Sequence, residues 1–327
     1  MSGVISVTVS EDEADMRLDR WFKRHYPGLS HIHLQKLVRS GQVRVDGKRV
    51  KANARVSPDQ VIRVPPLGDV SVPKERAAAA VKPVEDILKD LILHMDDDVI
   101  VLDKPPGLAV QGGTGITRSV DGMLDTLKFG NAERPRLVHR LDKDTSGVLV
   151  LARSRGIAAK LTRSFRSRDT HKVYWAIVVG VPAIGAGKID MALAKLPGKM
   201  GERMVPDEKA GKKATTLYRV IEKASRNAAW LHLEPITGRT HQLRVHMAET
   251  GTPIHGDGKY GGAEAFIPGQ GLSRKLHLHA RAIRIPHPGK KGALEVFAPL
   301  PDHMRATWEF LGFDENSDDD PFSDEMA

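Results

Sequence analysis

Asp142 stands between Arg140 and Lys143, with Asp144 two residues further on, directly ahead of the apolar run "SGVLVLA". A carboxylate flanked by cations is favoured in its charged form. At the end of a strand facing a cleft, such a group serves as a nucleophile or a general base. A structural ion pair fits the same spacing. A hydrolase using Asp142 and Asp144 together is a further reading, since residues two apart on an extended segment share a face with about 7 Å between Cα atoms. Aromatic residues make up only 5% of the chain, which leaves little for a sugar-stacking platform.

Two other groups carry candidate chemistry. In "ITGRTHQLRVHM" (residues 236–247), Thr237 or Thr240 is expected to cap a helix. Arg244 then shares a face with Thr240 and His241, while Arg239 lies at the helix start. Arginines and histidines clustered there suit phosphate binding or pairing with a buried carboxylate. His241 and His246 are five apart. That is off the four-residue spacing of paired metal ligands, so no metal is expected. In "HKVYWAIVVG", alternation puts Tyr174 and Ala176 on one face and Val173 and Trp175 on the other. A tyrosine inside a strand is usually core, but its ring can also stack on a nucleobase. "GGTGITRS" (residues 112–119) lacks the lysine of a phosphate loop, and His277 and His279 read as core or surface histidines.

The elements that must position these residues are legible as a pattern. Residues of about 91–313 alternate short apolar runs with Gly/Pro turns. "DDDVIVLDKPPG", "GVLVLARS", "KVYWAIVVG", "AAWLHLEPITG" and "KLHLHARAIRIP" read as strands, with helices at about 119–128, 156–168 and 241–250. The fold class is α+β, with a mixed, mostly antiparallel sheet and flanking helices. A small α+β module is expected over residues 1–65. Leu18, Trp21 and Phe22 sit at helical spacing; a break follows at Pro27-Gly28. A second helix, capped by Ser30, turns Leu34, Leu37 and Val38 inward, and Asp46-Gly47 marks a hairpin. Residues 66–90, rich in proline and alanine, read as a linker, and residues 314–327 as an acidic disordered tail.

Charge points to a polyanion. The net charge is +9 even though the tail carries seven acids and no base. From Arg17 to Arg63 there are twelve Lys or Arg against three Asp. Arg17, Arg20, Lys36, Arg39 and Arg44 are among those that interleave with the apolar positions, a pattern suited to nucleic acid. Helix-turn-helix DNA binding competes with RNA binding here. The absence of cysteine excludes disulfides, thiolate catalysis and Cys-ligated zinc. The acidic N-terminus does not read as a signal peptide, and no apolar run approaches the roughly 18 residues of a membrane span. A cytoplasmic protein is expected.

These segments together resemble the RluA-type pseudouridine synthases. "VHRLDKDTSGVLVLA" resembles their catalytic motif and "LDKPPGLAVQ" an upstream strand-turn motif. "KVYWAIVVG" and "LEPITGRTHQLRVHM" match later motifs in the expected order, and "IHGDGKYGG" follows a Gly-rich stretch loosely. The first module resembles an S-four-like RNA-binding domain, and with "VIRVPP" it is most similar to the RluC-like branch, which acts on large-subunit ribosomal RNA. The likeness spans about residues 15–305. It implies Asp142 as the catalytic aspartate, Arg244 as its partner, and Arg140 as the residue that fills the space of a flipped nucleotide. It implies that Tyr174 packs on the target base and acts as a base later in the reaction. His139, Lys143, Arg239, Thr240 and His241 are expected at the substrate. The isomerisation needs neither redox change nor group donor, so no cofactor is expected, and the enzyme is expected to act as a monomer. A non-catalytic RNA-binding or ribosome-assembly protein, with Asp142 in a structural ion pair, is the alternative, as is a synthase for transfer RNA.

Overall fold

Leu18, Trp21 and Phe22 are all buried, as their helical spacing requires, and so are Leu34, Leu37 and Val38. The computed structural model describes residues 4–26, 29, 31–67, 87–113, 116–167, 169–196, 203–268, 272–318 and 322, so Ser30 and Pro27-Gly28 lie outside the described residues. The chain divides into two units, Met1–Val81 and Lys82–Ala327. Among the described residues, no helix is long and apolar enough to cross a membrane.

The first unit runs β1 (Ile5–Thr8), β2 (Met16–Arg17), α1 (Leu18–His25), α2 (His31–Arg39), β3 (Arg44–Val45), β4 (Lys48–Arg49), β5 (Arg55–Val56) and β6 (Val61–Val64). Strands β1, β6, β3 and β4 form one sheet and β2 pairs with β5. The β3–β4 turn has Asp46 at φ 50° and Gly47 at φ 73°, the left-handed pair of a tight hairpin. The Asp46 carboxylate fixes the turn by accepting from the Val61 N–H at 2.8 Å. Apolar residues from both helices and the sheet form one core, which leaves Arg17, Arg20, Lys36, Arg39 and Arg44 outside it. Arg17 pairs with Asp19, and Arg44 donates to the Gly41 and Gly47 carbonyls.

The second unit follows with β7 (Ile92–Met95), β8 (Val99–Lys104), α3 (Val120–Met123), β9 (Arg136–Leu137), β10 (Ser146–Ala152), α4 (Arg155–Ser164), β11 (His171–Val179), β12 (Ala186–Asp190), β13 (Leu193–Leu196) and β14 (Arg203–Pro206). It ends with β15 (Thr215–Ala224), β16 (Ala228–Pro235), α5 (Gln242–Glu249), β17 (Leu278–Pro286), β18 (Ala293–Phe297) and α6 (Asp302–Leu311). Ten strands make one sheet, ordered β12-β15-β16-β11-β17-β10-β8-β7, with β18 beside β17 and β9 beside β10. Every pairing in it is antiparallel except β10 with β17. That parallel junction is close: at Gly147, φ +102°, a Cβ would collide with the Ala280 carbonyl. Strand β10 is buried along its whole length, as a central strand should be. Residues 68–86 of the linker expected over 66–90 lie outside the described residues; near its end, Leu88 is fully buried in the core around β8 and β10.

Of the acidic tail expected over 314–327, residues 319–321 and 323–327 lie outside the described residues, and within the described part Asp318 and Phe322 are buried. Asp318 is 4% exposed, and its carboxylate accepts from Trp175 Nε1 at 2.8 Å, from His232 Nδ1 at 2.9 Å and from Arg219 Nη2 at 2.5 Å. Phe322 is buried beside Phe297 and under the Arg284 guanidinium. Composition alone reads these acids as exposed, but partners on β11, β15 and β16 offset the cost of burying one. Burial opposes protonation of His232, yet its bonds to Asp318 and Glu234 hold its pKa above the ordinary value. Burial likewise opposes ionisation of Asp318, and His232 and Arg219 outweigh it. The His232 contribution is present below its unfolded pKa of 6.5 and is lost as pH rises through its raised folded value. That of Asp318 is present above its unfolded value of 3.8 and is lost as pH falls through its depressed one. Asp318→Asn should therefore cost about 3 kcal/mol in urea unfolding at mildly acidic pH. The difference from wild type should shrink at alkaline pH; a cost independent of pH would contradict the ion pair with His232.

Candidate active site

Asp142 lies in the turn just before β10, and two sets of contacts shape that turn. Thr145 N–H donates to the Asp142 carbonyl at 3.2 Å and Gly107 N–H to the Lys143 carbonyl at 2.9 Å. Beneath it, the fully buried Lys104 ammonium donates to the carbonyls of Pro105, Leu108 and Lys143 at 2.8, 3.0 and 3.0 Å. Burial pushes the Lys104 pKa down to about 8, against the opposing charges of Asp144, Asp142 and Asp103. The turn is thereby tied to the Pro-Pro-Gly turn that ends β8.

The second support is α5. The sequence pattern puts Thr240 within a helix capped by Thr237 or Thr240. Instead the helix begins at Gln242, and His241 is its cap residue, in the left-handed region at φ 53° with no side-chain cap bond. Such a conformation costs a non-glycine residue about 1–3 kcal/mol and persists only where surroundings enforce it. Here they do. The Gln242 amide donates to Thr215 O and Thr216 Oγ1, and its oxygen accepts from Thr237 Oγ1 and the Arg239 N–H. His241 Nδ1 lies 2.6 Å from Tyr260 Oη, leaving Nε2 3.7 Å from the Asp142 carboxylate.

Arg244, near the start of this buried helix, joins the two supports. Its Nε and Nη2 donate to the two oxygens of Asp257 at 2.8 and 2.7 Å, a bidentate pair, while Nη1 reaches Asp142 Oδ2 at 3.4 Å. Its guanidinium also lies 5.2 Å from the centre of the Tyr260 ring. Burial disfavours the charged guanidinium, but Asp257 and then Asp142 outweigh it and raise its pKa further.

His139, Arg140, Asp142, Tyr174, Arg239, Thr240, His241 and Arg244 all line one cleft of about 290 Å³. Among these, His139 also braces the fold. Its Nε2 accepts from the Val150 N–H at 2.8 Å and its ring stacks on Phe165 at 4.3 Å. Burial, helped by Lys172, pushes its pKa down to about 3, so the ring is neutral. Arg140 is exposed at the cleft wall. Tyr174 enters from β11 beside a register shift at Val173/Tyr174, the kind of bulge that re-aims a side chain. Burial, with the charge of Asp142, pushes its phenol well above the tyrosine range. The phenol is thereby held protonated. Arg239 is tied by its Nε to the Lys213 carbonyl at 3.0 Å.

Lys143 does not line this cleft; it and Asp144 line an adjoining recess, which Asp142 also borders. Arg17, Arg20, Lys36, Arg39 and Arg44 belong to the other unit. The sequence reading misses Asp257, Tyr260, Lys104, Gln242 and Lys172. Lys172 is within reach of alternation, being two residues from Tyr174 on the same strand. Asp257 and Tyr260 lie in "IHGDGKYGG", where a lone acid among glycines is the only signal.

Residues 98–249 match the family model described as RNA pseudouridylate synthase, and residues 16–62 match the S4 domain. The chain is 35% identical over 308 residues to the ribosomal large subunit pseudouridine synthase C of Vibrio vulnificus, covering 93% of this chain and 96% of that protein. It is 36% identical to the protein of the same name from Yersinia pestis, covering 91% and 93%. Among solved structures, human RNA pseudouridylate synthase domain containing 4 aligns at a TM-score of 0.58 with 32% identity, over 70% of this chain and 95% of that one. A family model over residues 98–249, a fold similar to that of a solved RNA pseudouridylate synthase domain protein and 35–36% identity along more than nine-tenths of the chain lead to one conclusion: this chain belongs to the RNA pseudouridylate synthase family.

Proposed function

We propose that this synthase isomerises specific uridines of large-subunit ribosomal RNA to pseudouridine, with Asp142 as the catalytic aspartate acting on a flipped-out nucleotide. The substrate rests on the names of the relatives matched along almost the full chain. The catalytic role rests on one observation: Asp142 is a cleft carboxylate faced by an arginine whose other donors are locked to a second, buried carboxylate.

The chemistry breaks the bond between N1 and the anomeric carbon, turns the uracil, and joins C5 to the same carbon; the C5 proton leaves and N1 gains one. Extruding the nucleotide costs a few kcal/mol. Arg140, exposed at the cleft wall, occupies the vacated stack. Tyr174 supplies the apolar floor for the base. Arg244 holds Asp142 in place, and because Asp257 fixes that guanidinium before substrate arrives, little reorganisation remains for the reaction. The cations of the first unit meet the phosphate backbone, which makes binding weaken with salt.

The direct test uses ribosomal RNA with tritium at C5 of its uridines. The intact protein should release tritium, and Asp142→Asn should release it at least about a thousandfold more slowly. Release by neither on large-subunit RNA would overturn the substrate; equal release by both would overturn the aspartate. Asp257→Asn should slow single-turnover release about a hundredfold while leaving RNA affinity unchanged, since a small misplacement of a catalytic group has that effect. An unchanged rate would show that Arg244 needs no anchor.

A further inference from the structure

A second recess, of about 480 Å³, adjoins the cleft and shares Asp142, His241 and Arg244 with it. Its remaining walls differ in kind. Where the cleft offers the rings of Tyr174 and Phe165, no Phe, Tyr or Trp among the described residues lines the recess. It has instead four further cations, Lys143, Lys259, Arg274 and Lys275. Its other carboxylates are fewer: Asp257 is engaged by Arg244, and Asp144 stands beside Lys143.

The cations come from three chain segments brought together by the fold. Lys143 belongs to the turn that carries Asp142. Lys259 follows the Gly256–Gly258 loop, and Arg274 and Lys275 precede β17. Gly256, at φ +83°, lets that loop close against the 274–276 segment, because a Cβ there would collide with the Lys275 carbonyl. The Arg274 guanidinium lies 4.0 Å from the centre of the Phe266 ring, which orients it while leaving its charge in place. A site with cations, glycine backbone and no stacking surface recognises an anion and not a base.

We propose that this recess binds the phosphodiester next to the flipped uridine, so that the RNA strand is gripped on one side of Asp142 by its base and on the other by its backbone. The proposal rests on the reading of the cleft given above. A strand whose base enters the cleft carries its sugar past Asp142, and the adjoining recess takes the neighbouring phosphate. Lys259 and Arg274 are thereby substrate-positioning residues for the reaction.

The test uses the full chain with Lys259→Ala and Arg274→Ala combined, and tritium release from large-subunit ribosomal RNA labelled at uridine C5. KM should rise about tenfold, as expected when a charge-assisted hydrogen bond is removed, with little change in kcat. The slope of log affinity against log salt should become shallower by about 0.7–0.9 for each phosphate no longer neutralised. Arg274→Lys, which keeps the charge, should recover part of the affinity in the Lys259-intact protein relative to Arg274→Ala. An unchanged KM, or a fall in kcat alone, would overturn the proposal. If the intact protein releases no tritium from this RNA, the substrate reading fails on its own. The salt slope for binding the same RNA then decides the recess: a shallower slope in the double variant supports it and an unchanged slope overturns it.

Discussion

The bidentate pair between Arg244 and Asp257 is the constraint on which the active site depends. A planar guanidinium with two donors fixed has little freedom left, so its third nitrogen points in one direction, and Asp142 is there. Both partners are buried, and breaking such a pair by removing one member leaves an uncompensated charge at a cost of several kcal/mol. The arrangement therefore accepts a stability risk in return for a pre-set geometry at the carboxylate. The turn below Asp142 follows the same logic, with one buried ammonium serving three carbonyls.

These two supports come from different parts of the second unit and meet through the sheet. The Asp142 turn leads into β10, whose parallel neighbour β17 lies on its other side from β8. Helix α5 is reached from β16, two strands beyond β17. The left-handed His241 lets the chain turn sharply from β16 into α5, so the strained residue and the contact of Arg244 with Asp142 are consequences of the same turn. Cations on both sides of Asp142 then divide by chemistry, some beside aromatic rings in the cleft and others beside glycine backbone in the recess.

What is legible in the sequence is local. The central strands, the helical spacing of Leu18, Trp21 and Phe22, and the Asp46-Gly47 hairpin follow from periodicity and turn chemistry that act over a few residues. The pairing of Arg244 with Asp142, 102 residues apart, is reached through the family likeness and the helix face, although Thr240 lies outside the helix. Strands β12 to β15 escape sequence reading because edge and half-exposed strands lose clean alternation, as the burial of β12 and β15 shows. Helix α6 also escapes it, although Met304, Thr307 and Trp308 keep helical spacing and Gly312 stops it. The acidic terminus misleads for a different reason: its anchors, Trp175, Arg219 and His232, are distant in sequence, and composition carries no record of them.

The most direct measurement of the central claim is single-turnover tritium release by Arg244→Lys. Lysine keeps the positive charge but has no planar fork with which to hold Asp257 and face Asp142 together. The expected result is a rate at least about a hundredfold lower with RNA affinity unchanged. A rate equal to that of the intact protein would contradict the claim, because charge alone would then be enough and the locked geometry would carry no catalytic role.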